Sequence, residues 1–193
     1  RLGPATGAAR QLGEVVQALL VMARASNRVR WRNFAASDLA TAAVGRRIVV
    51  DASPLAGVGV LRGDPDLIAV AILNLVDNAE RHGARTAVIR AGTRGGQQFV
   101  DIEDDGPGIA PERLDRVERA LRRYEESGEL DESLGLGLTL ASSVARAHGG
   151  VLRLQRGGTR NSGLCVRLMW PTASTEQGPG SPSRQPPAPA AGA

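Results

Sequence analysis

The sequence predicts an α+β chain folded as a two-layer α/β sandwich, with helices on one face of a mixed, largely antiparallel sheet. Three observations carry this. Residues 85–92 (RTAVIRAG) and 97–104 (QQFVDIED) alternate apolar and polar side chains on either side of RGGQ, which reads as a hairpin turn. VLRLQRGG and GLCVRLMW repeat that pairing around a turn containing Gly and Asn. Two other segments, near 65–82 and 136–148, space their apolar residues as helices do. Hairpins make antiparallel neighbours, and the first Gly-x-Gly does not follow the first strand, so a parallel dinucleotide-binding sheet is not expected.

The elements follow in order. Residues 10–25 place Leu12, Val15, Val16, Leu19, Leu20 and Ala23 on one face, which predicts a helix that needs a partner outside itself. Arg30 to Phe34 reads as a short strand, and Ser37 or Asp38 as the cap of a brief helix through Ala43. RRIVVDAS and GVGVLR are further strands. Asp64 caps the next helix, with Pro65 at its first position; it runs to His82 and stops at Gly83. After Gly108 a charged stretch reaches about Glu132, helical from Glu112 to Tyr124 and otherwise a mobile loop. A helix from 136 to 148 ends at Gly149 and Gly150. From Thr172 onward Pro, Ala, Ser and Gly predict a disordered tail. The implied organisation is a helical segment at 1–28, a folded domain at 29–171 and a tail at 172–193.

Composition removes several functions. With 193 residues, 42% hydrophobic but only 3% aromatic, the core is built from Leu, Val, Ile and Ala. No lysine occurs, which excludes the P-loop pattern GxxxxGK[ST]. Cys165 is the only cysteine and His82 and His148 the only histidines, so no disulfide and no zinc site of the usual kind is expected. The net charge of +4 comes from arginines scattered among glutamates, a pattern that points away from nucleic acid. No apolar run approaches the roughly 18 residues of a membrane span, and no signal peptide is visible. A start at Arg1 suggests a fragment of a longer protein, whose membrane anchor, if it has one, lies upstream.

Three short segments carry chemistry. NLVDNAERHG at 74–83 places Asn74 and Asn78 four apart on a helix, followed by Arg81 and His82. DDGPGI at 104–109 sets Asp104 before a Gly-x-Gly turn, and SLGLGL at 133–138 sets a second one at a helix start. The Asn78 amide oxygen can ligate magnesium beside a triphosphate without adding negative charge. Arg81 has the charge and reach for a terminal phosphate. Asp104 can accept a hydrogen bond from the adenine amino group. Gly106 and Gly108 let the backbone pass close to the base. Gly135 and Gly137 do so for phosphates at a helix N-terminus.

These residues resemble a known family. Asn74-Leu75-Val76-Asp77-Asn78-Ala79 looks like the N box of sensor histidine kinases, Asp104 to Ile109 like their G1 box, and Leu134-Gly135-Leu136-Gly137-Leu138 like their G2 box. The resemblance covers residues 30–171 and reaches the superfamily that unites gyrase, Hsp90, MutL and histidine kinases. It implies a Bergerat-type ATP-binding fold with ATP between the helices under a flexible lid. It implies ATP and Mg2+ as cofactors, with Asn78 as the metal ligand. Nucleotide contacts are implied at Asn74, Asn78, Arg81, His82, Asp104, Gly106, Gly108, Arg123, Gly135, Leu136 and Gly137. Residues 10–28 resemble the end of the second helix of the family's dimerisation and phosphotransfer hairpin.

The implied parent is a cytoplasmic kinase portion anchored in a bacterial inner membrane, a homodimer that serves a response regulator, with the phosphoacceptor histidine on a helix outside this chain. Two departures fall in the lid. RVERALRRYEES lacks the phenylalanines of the F box, with Leu121 and Tyr124 as the only substitutes, and Ser133 stands where the first G2 glycine usually does. Two other readings stay open. One is an ATPase or serine kinase of the superfamily, which would want Glu where Asn74 stands. The other is a degenerate nucleotide-binding scaffold.

Overall fold

Asp64 starts the central helix by the mechanism its position predicts. Its carboxylate accepts hydrogen bonds from the backbone N–H of Asp66 and Leu67 at the start of α1 (Pro65–Arg81). The computed structural model describes residues 29–45, 47–129, 131, 133–157 and 163–172, together with Ala23. The expected helix at 10–25 (Ala23 apart), the tail beyond Thr172 and the turn at 158–162 lie outside the described residues.

The order is β1 (Arg32–Ala35), a 3-10 turn (Ala36–Ala43), β2 (Val49–Asp51), a second 3-10 turn (Ser53–Leu55), β3 (Val60–Gly63), then α1. The chain continues through β4 (Thr86–Arg94), β5 (Gln97–Asp104), α2 (Pro111–Ser127), α3 (Gly135–Ala147), β6 (Val151–Arg156) and β7 (Leu164–Pro171). Five strands form one mixed sheet in the order β2-β4-β5-β7-β6. Only β2 and β4 run parallel; the other three pairings are antiparallel. The predicted sandwich is therefore the observed one. The β4–β5 turn puts Gly95 and Gly96 at φ +58° and +76°, the geometry that two-residue hairpins need.

One face of this sheet is apolar by strand alternation. Ile89, Val100, Ile102, Val166, Leu168 and Leu152 point to the helices and are buried. They meet α1 and α3, which lie antiparallel. The Gly137 Cα of α3 comes so near α1 that a Cβ there would sit 3.3 Å from the Asn74 carbonyl oxygen. At the other end His148 Nε2, just past α3, accepts from the Asp64 N–H at 2.9 Å.

Four details differ from or extend what the sequence predicts. The segment after β1 is a 3-10 helix whose N-cap is Ala35; neither Ser37 nor Asp38 caps it. Strands β1 and β3 form a separate antiparallel ribbon rather than joining the main sheet. Thr172 is not yet tail: its N–H donates to the Gly96 carbonyl at 3.0 Å.

The fourth concerns the lid. α2 runs through Ser127 and is a docked helix, with Val117, Ala120, Leu121 and Tyr124 buried. Tyr124 Oη lies 2.6 Å from Ser143 Oγ, and Arg146 donates to the Tyr124 carbonyl at 2.6 Å. Glu125 accepts from the Leu152 N–H at 3.1 Å. The segment is poor in apolar residues on average, but those it has share one face, and that face is enough to dock it.

Candidate functional site

A cavity of about 210 Å3 opens where the C-terminus of α1 faces the N-terminus of α3. α1 contributes Asn78, Arg81 and, at its C-cap, His82. The loop after β5 contributes Gly106, Pro107, Gly108 and Ile109, with Asp104 at its start. The residues around the first turn of α3, Ser133 to Leu138, form the opposite wall. The first two turns of α2 complete it with Arg113 and Val117, and Leu164 at the start of β7 lines it as well.

Two adjacent carboxylates have been given different work. Asp105 Oδ1 accepts from the N–H groups of Arg85 and Thr86, both at 2.8 Å, and so fastens β5 to the start of β4. The Thr86 N–H bond leads in holding its carboxyl below the usual carboxylate range. Asp104 Oδ1 accepts from Gly106 N–H at 2.9 Å and Leu164 N–H at 3.2 Å. Its other oxygen takes no hydrogen bond among the described residues. Burial raises the Asp104 carboxyl above the usual range, against the lowering pull of those two N–H donors.

Asp104 is held from two sides, by its own loop and by the backbone leading into β7. A Cβ on Gly106 would lie 2.9 Å from Asp104 Oδ1. Gly163 has φ +101°, and a Cβ there would fall 1.9 Å from the Asp104 carbonyl oxygen, so only glycine lets β7 approach closely enough to donate. The result is a carboxylate with one oxygen locked and one left for a ligand.

The remaining wall is rich in unfilled hydrogen-bonding capacity. The Asn78 side-chain amide makes no hydrogen bond among the described residues, although the residue is half-buried. α3 starts at Gly135, φ +66°, with no side-chain cap on its first N–H groups. Those donors and the helix dipole favour an anion. Ile109, Val117, Leu134, Leu138 and Leu164 supply the apolar part, fit for the faces of a flat ring. No cluster of three or more His, Cys, Asp or Glu side chains could hold a metal among the described residues. A divalent ion would depend on the Asn78 oxygen, the ligand's own oxygens and water, a donor set suited to Mg2+.

The structure thus brings Asn78, Arg81, His82, Asp104, Gly106, Gly108, Gly135, Leu136 and Gly137 to one cavity. It leaves Asn74 and Arg123 off the wall. Asn74 Nδ2 donates back to the Val70 carbonyl at 2.8 Å, and Arg123 is ion-paired with Asp131. Sequence reasoning missed Arg113, Val117 and Leu164. The first two follow Ile109 at a spacing of four, a readable signal once α2 is seen to begin at Pro111. Leu164 lies 60 residues from Asp104, and nothing local announces it.

Comparison with known proteins agrees with this geometry. The family model described as "Histidine kinase-, DNA gyrase B-, and HSP90-like ATPase" matches residues 63–174. Sensor protein QseC of Escherichia coli (strain K12) is 31% identical over 108 residues, covering 56% of this chain and 23% of that protein. Sensor protein CutS of Streptomyces coelicolor is 31% identical over 172 residues, covering 81% of this chain and 40% of that protein. The chain therefore spans about a quarter to two fifths of the length of these relatives. Among solved structures, the Acinetobacter baumannii histidine kinase AdeS aligns with TM-score 0.60 and 19% identity, over 85% of this chain and 80% of that one. The histidine kinase domain of the E. coli osmosensor EnvZ aligns with TM-score 0.52 and 27% identity, over 79% and 94%.

Proposed function

The chain belongs to the histidine kinase-, DNA gyrase B- and HSP90-like ATPase family, and on that premise we propose that it is the ATP-binding catalytic domain of a two-component sensor histidine kinase. The observation that carries the reading is Asp104. One of its oxygens is fixed by Gly106 and Leu164 while the other faces a cavity that ends at the uncapped glycine start of α3. An adenine amino group donates to the free oxygen, and the apolar wall encloses the ring. The amides of Gly135 to Gly137 receive the phosphates. Arg81 and His82 flank the same opening from α1.

Mg2+ suits the Asn78 amide oxygen, and when bound it would neutralise phosphate charge and orient the terminal phosphoryl group. The chain's own contribution is placement: it holds the base, directs the phosphates toward α3 and leaves the opening for an acceptor. Phosphoryl transfer of this kind needs positioning and charge more than covalent chemistry.

The acceptor histidine lies in a helix outside this chain. His148 is buried and internally hydrogen-bonded, and His82 belongs to the cavity wall. A response regulator, a homodimeric parent and membrane anchorage of that parent complete the proposal. No helix among the described residues is long and apolar enough to cross a membrane. An ATPase with a carboxylate base is disfavoured, because position 74 is an amide bonded to its own helix.

Calorimetric titration of this chain with ATP and GTP, with and without Mg2+, tests the reading. ATP is expected to bind and GTP to bind much more weakly. Asn78→Ala is expected to abolish most of the Mg2+ enhancement while sparing Mg2+-free binding. Incubation with γ-labelled ATP should leave no acid-labile phosphate on the chain. Equal affinity for ATP and GTP, or label on His82 or His148, would overturn the assignment of roles.

A further inference from the structure

We infer that Arg113, in the first turn of α2, is the phosphate-directed cation on the lid side of the nucleotide cavity, in place of Arg123. The inference rests on the ATP-binding reading above and adds a residue that no motif points to.

α2 carries five arginines and five carboxylates along its length, yet only its first two turns reach the cavity, through Arg113 and Val117. These two are four apart and so lie on one face, with Val117 buried and Arg113 exposed at the rim. The Arg113 guanidinium makes no hydrogen bond or ion pair among the described residues. Arg123 differs on both counts. It is off the cavity wall, and its guanidinium is paired with Asp131, which also accepts from the Ser133 N–H at 2.9 Å and the Ser133 hydroxyl at 2.6 Å. Recruiting Arg123 would break that ion pair. Its neighbours Tyr124 and Glu125 are bonded to Ser143 and Arg146 of α3 and to Leu152 of β6, so this half of α2 is fixed in place.

Arg113 gives up no hydrogen bond or ion pair among the described residues when it turns to a ligand. The cavity wall around it offers the ligand one carboxylate, Asp104, fixed at the base end, so a second charge recognition is left for the anionic tail. A planar guanidinium with unshared donors suits phosphate oxygens in a fork geometry.

The test is equilibrium binding of ATP, ADP and adenosine to the 193-residue chain and to Arg113→Gln, Arg123→Gln and Arg119→Gln. Arg119 is an exposed α2 arginine away from the cavity wall, so it controls for lost net charge. Arg113→Gln is expected to weaken ATP and ADP by about 5- to 20-fold, to leave adenosine within about twofold, and to flatten the salt dependence of ATP binding. Arg123→Gln should cost less than Arg113→Gln, and Arg119→Gln should stay within about twofold. The side chain is exposed and unpaired, so the fold should tolerate its replacement.

Unchanged ATP affinity in Arg113→Gln, with wild type binding normally, would overturn the inference and leave the ATP reading standing. So would an equal loss for adenosine, which would mean a contact to the base, or a larger loss in Arg123→Gln. Failure of the wild-type chain to bind any adenine nucleotide would overturn both.

Discussion

The antiparallel pair α1 and α3 makes two ends, and they are built oppositely. At one end, α3 finishes against the start of α1, and Asp64, His148 and Trp170 all find partners there. His148 Nδ1–H donates to the Val144 carbonyl at 2.8 Å, and its Nε2 accepts from the Asp64 N–H at 2.9 Å. Asp64 accepts from Asp66, Leu67 and, through Oδ2, the Arg30 N–H at 3.1 Å. Trp31 meets the His148 ring edge-on at 5.4 Å, and Trp170 Nε1 donates to the Arg62 carbonyl at 2.8 Å.

At the other end one Asp104 oxygen, the Asn78 amide and the first N–H groups of α3 are left for something else. Unmet polar capacity costs free energy in the unliganded fold and is recovered on binding. The closed end holds the helices in place so that the open end can remain incomplete. It also ties residues 30 and 31, where the chain enters the domain, to both helices.

Substitutions that act on one end alone sharpen this contrast. The largest effect is expected from Asp104→Asn. Its Oδ1 keeps the two backbone donors while an NH2 replaces the free acceptor oxygen, so adenine binding should fall by about 3 kcal/mol, on the order of 100-fold. Thermal stability should hold or rise. Burial raises the Asp104 carboxyl, so its ionised form is a cost to the fold above that raised value, and Asn removes the cost. A melting curve and a nucleotide titration on the same sample check both halves; loss of stability together with affinity would break the contrast.

His148→Leu should do the reverse. It strands the buried Asp64 N–H, and stability should drop by about 2 kcal/mol in urea unfolding. The nucleotide affinity of the folded fraction should be unchanged.

A pH series gives a smaller effect with a definite sign. Burial leads in lowering the His148 pKa below 6.5. The unfolded chain therefore takes up a proton first as pH falls, and the native state resists it. The His148 contribution is complete above pH 6.5 and declines as pH falls toward the folded value, by at most about 1.4 kcal/mol per unit. The Asp64 carboxylate opposes this decline by favouring the charged ring. Urea midpoints between pH 7.5 and 5 should slope downward in wild type and less so in His148→Leu. Equal slopes would remove His148 as the acid-sensitive group of the closed end.

The smallest expected effect lies between the ends. Ser142 Oγ on α3 is buried without a hydrogen-bond partner among the described residues, so Ser142→Ala should stabilise by up to about 1 kcal/mol. Nucleotide affinity should not move.

Much of the open end was legible in advance because its parts are local. Asn78, Arg81 and His82 share one helix, and Asp104, Gly106 and Gly108 share one turn. The closed end was largely illegible, because it joins Arg30, Asp64, His148 and Trp170 across separations of 34 to 108 residues. The place of His148 at the end of a helix announces a carbonyl partner, which it finds at Val144, but nothing local announces its second partner, the Asp64 N–H. The docking of α2 was illegible for a related reason: it depends on the single face formed by Val117, Ala120, Leu121 and Tyr124, and not on the average polarity of 111–127.

By itself, the sequence determined the periodicities that make the strands and helices, the Asp64-Pro65 helix start, the glycine turns and the residue types of the cavity. These depend on a residue and its neighbours within a few positions, where backbone sterics and hydrogen-bonding capacity act directly. Only the tertiary structure decided which of those residues meet. It turned Asn74 back to Val70, paired Arg123 with Asp131, brought Arg113 to the rim, and used the β7 backbone at Leu164 to lock one oxygen of Asp104. The physical reason is that side-chain orientation and pairing are set by the packing of α2 and β7 onto the sheet and α3, and that packing is a property of the whole core.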